Sequence, residues 1–412
     1  MFTGLGAGSI AYNDPWQLSF EERFKSLGSG ERHIAYFYEV PDTSTFRYRV
    51  FNMVEALEAA PELGISASWF SRVDLPYLER FIDRADALVI CRTRFDADID
   101  RMILRARARG MRIFFDVDDL VFDNDYIHLL LDALGQPTGN QELWDYWFAY
   151  AGRLGATLQA CDGAIVTNEF LAEKVGAYAP HITPNVVPNF LNRRQQAESE
   201  RLFVSKCRSG FARDGRIHIG YFSGTPSHNR DFEVAASALC AILNEDPRIV
   251  IRTAGFLEPK DFIPDHQDRL EVYPLQDFLN LQGIIGEVEV NIAPLQSNTF
   301  TNCKSELKYF EAAIAGTLTV SSPSFTLCRA IRDGENGFLS NAHEWDLKLH
   351  EAIDTVLDTR GYFGMVEKAF HEVQHLYAWN RHAPQVVSAI FGRPVDYTGG
   401  KLYDESIVRL TQ

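Results

Sequence analysis

The chain has 412 residues, 46% hydrophobic and 23% charged, a balance that buries a large core in about two domains. Its 40 basic and 56 acidic side chains leave a net charge of −16, which argues against an extended nucleic-acid footprint and against a polybasic grip on anionic lipid. The six cysteines (Cys91, Cys161, Cys207, Cys240, Cys303 and Cys328) form no CxxC pair and read as free thiols of a reducing compartment. No basic stretch leads into an apolar core at the N-terminus, and no apolar run is long enough to span a bilayer. A soluble cytoplasmic protein is expected, with at most transient contact with a membrane surface.

Residues 1–31 are polar and glycine-containing and read as an arm or cap. Short apolar runs then alternate with helical patterns. Strands are predicted over 34–40, 65–69, 87–91, 112–117, 164–167 and 181–187, with helices over 49–59, 76–84, 98–109 and the aromatic stretch 143–159. Continuous apolar strands separated by helices mark parallel sheets covered on both faces. This series defines an N-terminal lobe over 32–191. Residues 192–216, rich in Arg, Gln, Glu and Ser, read as a linker. A second lobe over 217–385 follows, with strands predicted at 217–222, 249–254, 270–273, 288–293 and 317–321. Its helices are predicted at 231–244, 275–284, 305–315 and 345–357, and residues 362–391 read as helical again. The end, 386–412, is expected to pack back toward the first lobe. Two such series predict an α/β fold of two Rossmann-like lobes facing each other across a cleft, with ligands beyond the C-terminal ends of the strands.

The most informative segment is 291–322. A strand ends at Pro294, a helix is predicted to begin near Cys303, and Gly316 ends it. Leu307, Phe310 and Ile314 share one helical face and form a core stripe, while Lys304, Lys308 and Glu311 share another. A cation in the first turn opposes the positive end of the helix dipole, and a second lysine four residues on adds repulsion of about 0.2–0.5 kcal/mol. A bound anion reverses both effects, and a diphosphate suits two lysines and a helix start. The same spacing also fits a solvated face on which Glu306 and Glu311 neutralise the lysines.

Three other segments have two readings each. In 217–232 a strand runs into Ser223-Gly224-Thr225 and then a helix near Arg230. Gly224 allows close backbone approach and Arg230 could share a phosphate, although an ordinary βα loop has the same look. In 43–50, Arg47 and Arg49 stand at a strand's C-terminal edge, where they suit donor phosphates, an anionic acceptor or simple surface salt bridges. In 114–123, Asp116, Asp118, Asp119 and Asp123 cluster at a strand end. Such carboxylates bind a hard cation, act as a base, or cap a helix and pair with arginines. The cluster is read without a metal, with Asp118 or the nearby His128 facing an acceptor hydroxyl.

These residues resemble the family-4-like group of GT-B glycosyltransferases. The resemblance is carried by the strand–Ser-Gly-Thr–helix start at 219–232, by Phe310-Glu311-Ala312-Ala313-Ile314-Ala315-Gly316, and by the turn Asp333-Gly334-Glu335-Asn336-Gly337-Phe338. Residues 161–167 (CDGAIVT) and Ile182-Thr183-Pro184-Asn185 resemble the group's last N-lobe strands, so the likeness covers most of 34–385. It implies that Glu311 holds the donor ribose; with the segments read above, the expected donor-binding set is Arg47, Arg49, Gly224, Thr225, Arg230, Lys304, Ser305, Lys308 and Glu311. Asp118 and Glu306 are the implied catalytic residues. No metal or cofactor is expected beyond a nucleotide-sugar donor linked to dTDP, UDP or GDP. The runs FDVDDLVFD and KSELK bring the chain near bacterial surface-polysaccharide transferases, including rhamnosyltransferases that use dTDP-rhamnose. That implies a glycan or lipid-linked acceptor, as in O-antigen synthesis. The group often carries a second glutamate before the one at Glu311, where this chain has Cys303, so the usual donor-sugar contact is absent or taken by Glu306.

Other functions remain on the same residues. A nucleotide-sugar epimerase of the same fold would need no acceptor, and a non-catalytic nucleotide-sugar-binding partner would form no product. A dinucleotide oxidoreductase fits poorly: no strand precedes Gly4, Gly6 and Gly8, and the first strand leads into no GxGxxG turn.

Overall fold

The run Ala-Leu-Val-Ile-Cys at 87–91 has no polar face to offer water, so it suits only a strand covered on both sides, and all of it is buried. The structure is a computed structural model describing residues 1–6, 8–136, 139–224 and 229–392. Thr225 of the expected donor loop and the tail beyond Gly392 lie outside the described residues.

The first lobe contains β1 (Arg32–Tyr38), β2 (Ile65–Ser71), β3 (Ala87–Cys91), β4 (Arg112–Val117), β5 (Gly163–Val166) and β6 (Pro184–Val186). They form one parallel sheet in the order β2-β1-β3-β4-β5-β6. The second lobe contains β7 (Ile217–Ser223), β8 (Ile249–Gly255), β9 (Leu270–Tyr273), β10 (Val290–Ala293), β11 (Leu318–Ser321) and β12 (Phe338–Leu339). Its parallel sheet runs β12-β11-β10-β7-β8-β9. Strand order reverses between β1 and β3 in one lobe and between β7 and β10 in the other. Loops leaving such a pair diverge to opposite faces and open a crevice beyond the strand ends. The fold is thus two Rossmann-like lobes.

The lobes are joined more intimately than their sequence suggests. The connection 192–216 carries the helix Arg193–Arg208, capped by Asn192, whose side chain accepts from the Gln195 N–H at 2.8 Å. One face of this charge-rich helix buries Leu202 and Phe203, and Phe203 stacks on Phe370 at 4.0 Å. The N-terminal arm also bridges the lobes. Phe2 N donates to Glu287 O at 2.9 Å, and Ile10 exchanges two hydrogen bonds with the Asn280 side chain in the second lobe. Trp16 then packs on Phe46 (5.6 Å) and Phe51 (5.5 Å) of the first lobe and on Phe278 (6.3 Å) of the second. At the other end, the helix Ala383–Phe391 lies on the first lobe, where Arg112 donates to Ile390 O and Gln385 to Val186 O, each at 3.0 Å.

All six cysteines are free. Among the described residues no helix is long and apolar enough to cross a membrane.

Candidate functional site

The two reversal points face each other, and the space between them is a cavity of about 470 Å³. That is the size of a small-ligand site. Gly224, Lys304, Ser305, Glu306, Lys308 and Glu311 line it from the second lobe. Arg47, Arg92, Asp118 and Asp119 line it from the first, with the aromatic rings of Trp147 and Tyr150 beyond them.

The helix expected over 305–315 is shorter and begins later, as Leu307–Ala313. A separate turn of helix, Thr299–Asn302, precedes it, opened by a capping box between Asn298 and Thr301 and closed at Cys303, before Lys304. Lys304 therefore stands in the loop ahead of the helix rather than in its first turn. Its ammonium lies 3.5 Å from Asp231, a buried carboxylate that is not part of the cavity wall and so holds the lysine in place from behind. Lys308 sits deeper, donating to the Phe222 carbonyl and lying 4.6 Å from the Tyr221 ring centroid. Burial pushes its ammonium down to about 8, against the pull of Asp231. Gly224 follows β7 at the cavity edge, and a Cβ there would meet nothing within 4 Å among the described residues. Ser305 accepts from the Asn189 side chain across the lobes at 2.9 Å. Glu306 accepts from the Tyr377 hydroxyl at 2.6 Å, and burial raises its carboxyl above the ordinary range.

Glu311 is buried and already occupied. Its Oε1 accepts from the Tyr48 hydroxyl, from Gln195 at 2.8 Å and from Arg47 at 3.4 Å. Tyr48 and Arg47 reach it because the helix after β1 opens with a π-turn, Arg47–Phe51, before it runs on as Asn52–Glu58. Widened turns of this kind shift side chains around the helix and recur at functional sites. Here Arg47 and Tyr48 face the second lobe, while Arg49 faces the first lobe's core. Arg49 is fully buried, bound to both oxygens of Asp116 at 2.7 and 3.0 Å and to Val187 O at 2.8 Å. Burial pushes the Asp116 carboxyl up to about 6, and Arg49 limits the rise.

Beyond β4 the acidic run divides. Both oxygens of Asp118 are taken, one by Arg92 at 3.0 Å and the other by the Thr45 hydroxyl at 2.8 Å. Asp119 has Arg92 at 3.5 Å and is the more open, with 27% of its side chain exposed against 14% for Asp118. Burial, then the adjacent Asp118, push its carboxyl up to about 6, while Arg92 and Lys304 pull it back. Arg92 itself follows β3 with φ at +39°, a setting costly for any residue with a side chain and most often kept at sites of function. Asp123 instead caps the turn Asn124–Tyr126.

Several expectations change. Arg49 belongs to the core, where its guanidinium neutralises Asp116. Arg230 points away from the cavity, 48% exposed and paired with Glu233 at 3.1 Å one helical turn on. His128 is exposed and off the cavity wall. Sequence reasoning missed Arg92, Tyr48, Asn189 and Gln195. Arg92 carried a signal, since it follows a predicted strand beside the reversal point, the argument that had marked Arg47. Gln195 carried none, because only the packing of the inter-lobe helix brings it to the cleft, whereas Asn189 stands in the loop that follows β6. Among the described residues no three His, Cys, Asp or Glu side chains converge as a metal site would require.

No family model matches the chain, and no curated protein is similar to it. Solved structures match its fold. HepE of Anabaena, crystallised with UDP and glucose, is 10% identical, with a TM-score of 0.57 over 87% of this chain and 99% of its own. A glycosyltransferase from Rickettsia africae is 13% identical over 87% of this chain and 98% of its own, with a TM-score of 0.57. Sucrose-phosphate synthase from Thermosynechococcus elongatus is 15% identical over 86% of this chain and 96% of its own, with a TM-score of 0.56. At these identities the likeness is one of fold, and the fold is GT-B.

Proposed function

We propose that the chain is a glycosyltransferase that takes a sugar from a nucleoside-diphosphate donor in the second lobe and passes it to a hydroxyl presented by the first. The observation that carries this is the cavity at the facing reversal points, with two lysines and a buried glutamate on one wall and an open carboxylate on the other. Lys304 and Lys308 bind the diphosphate, and Gly224 leaves room for it. Glu311 accepts from the donor ribose hydroxyls once the nucleotide displaces Tyr48 and Gln195 from its oxygen. In the transfer, the bond between the anomeric carbon and the β-phosphate oxygen breaks, and its electron pair leaves on the diphosphate. The acceptor oxygen bonds to that carbon and its proton passes to Asp119. Asp118 is the positioning residue of the pair, holding Arg92 and Thr45 in place. Charge developing on the leaving diphosphate meets two ammonium groups already held in place, the arrangement by which preorganised charge stabilises a transition state. Glu306, bound to Tyr377 at the cavity wall, contacts the donor sugar in place of a glutamate at position 303.

HepE was crystallised with UDP and glucose, which supports uridine as the base to try first. The resemblance of 114–123 and 304–308 to surface-polysaccharide enzymes supports rhamnose as a second sugar and a glycan or lipid-linked acceptor. The test is a calorimetric titration with UDP, dTDP and GDP, followed by turnover of UDP-glucose and dTDP-rhamnose with candidate acceptors. One nucleotide is expected to bind, and the joint change of Lys304→Ala and Lys308→Ala is expected to abolish that binding. Binding of none, or binding indifferent to both lysines, overturns the assignment.

A further inference from the structure

The helix Gln141–Gln159 packs Trp144, Tyr146, Trp147, Phe148 and Tyr150 into two turns. Trp147 touches Tyr146 and Tyr150 edge-on, with ring centroids 5.1 and 5.3 Å apart. Trp147 and Tyr150 form the cavity wall beside Leu130 and Leu134, while Tyr146 and Phe148 stay 54% and 42% exposed along the same helix. The wall runs directly into polar groups. Tyr150 lies close enough to Arg92 for its charge to be felt there, and Arg92 holds Asp118 and Asp119. Arg94, clamped by Glu39 at 2.6 and 2.9 Å, sits 5.4 Å from the Tyr150 ring centroid.

We propose that this half of the cavity seats a neutral sugar ring of a carbohydrate acceptor, packed on Trp147 and Tyr150 with its hydroxyls turned toward Arg92 and Asp119. A pyranose presents C–H patches on its faces and hydroxyls at its rim, so it is matched by an aromatic floor with a polar edge. The alternative occupant of an exposed aromatic helix is a membrane surface, and charge argues against it. The helix carries Glu142 and Asp145 against one cation, Arg153, which is tied to Phe95 O at 2.7 Å and to Asp96. Binding to anionic lipid draws on clusters of lysine and arginine open to solvent, whereas Arg92, Arg94 and Arg153 beside this helix each face a carboxylate.

The inference rests on the transfer reading, and its test separates the two. Wild-type, Trp147→Ala and Trp147→Phe proteins, each with UDP, are applied to a printed array of neutral and acidic oligosaccharides. In parallel, UDP affinity is measured by calorimetry and pelleting is measured with phosphatidylglycerol vesicles. The wild type is expected to retain neutral oligosaccharides, Trp147→Ala to lose about tenfold in affinity for them, and Trp147→Phe to recover most of it. UDP affinity and vesicle pelleting are expected to be equal in all three. The proposal is overturned if the wild type binds UDP but no neutral glycan, if Trp147→Ala binds glycans unchanged, or if the substitution removes vesicle binding instead. Glycan binding that depends on Trp147 in a protein that binds no nucleotide would leave this seat standing and remove the donor reading.

Discussion

Gln195 donates to Oε1 of Glu311 at 2.8 Å, so the carboxylate proposed for the donor ribose is held by the helix that joins the lobes. Nucleotide and protein compete for one oxygen. Glu311→Gln keeps the shape and removes the charge that both want. Charge-assisted hydrogen bonds contribute about 1.5–3 kcal/mol, so UDP affinity is expected to fall by about one to two decades in calorimetry. Unchanged affinity would mean that the ribose lies elsewhere.

Lys308 makes binding depend on pH. Burial pushes its ammonium from 10.5 down to about 8. Between those values the unfolded chain holds a proton that the folded chain has lost, so this group's contribution to stability rises with pH across the window and is unfavourable below it. Diphosphate requires the charged form, so UDP affinity is expected to drop about tenfold per pH unit above 8. Lys308→Met should bind weakly at every pH and lose the slope. A flat wild-type profile from pH 7 to 9.5 would contradict the contact.

Asp119 should set the acid limb of turnover. With its carboxyl near 6, the rate is expected to climb as pH rises through 6 and then level off. Asp119→Asn is expected to lower kcat by about 10²–10⁴ while leaving UDP binding intact. Steady-state rates set beside calorimetry decide this, and a variant that retains wild-type kcat refutes the role.

Arg49 should matter for folding alone. Arg49→Met strands the Asp116 carboxylate in the core, which typically costs about 3–5 kcal/mol. The double change Arg49→Met with Asp116→Leu removes the stranded charge and is expected to recover most of that loss. Denaturant unfolding of both variants measures it. A single variant as stable as the wild type would show that the pair is not the anchor described.

Strand positions within each lobe were legible in the sequence because buried parallel strands are largely apolar, end to end in 87–91 and over 113–115 in the next strand. β12, two residues long, was too short to leave a pattern. That Lys304, Lys308 and Glu311 would share one wall was legible because one helical face and the loop before it carry them. The split between Arg47 and Arg49 was not, since regular helical spacing gives no hint of a π-turn that sends one to the cleft and the other to the core. The helix Arg193–Arg208 was hidden by its charge, which describes only the outward face. The pairing of Arg230 with Glu233 one turn on was not legible, because proximity to a helix start says nothing of which way a side chain leaves it.

The indole of Trp16, lodged between rings of both lobes, limits how the jaws can swing. Any hinge rotation that admits a bulky substrate must slide this ring off Phe278 or off Phe46 and Phe51. The arm thus works as a strap across the two jaws, its one indole gripping both.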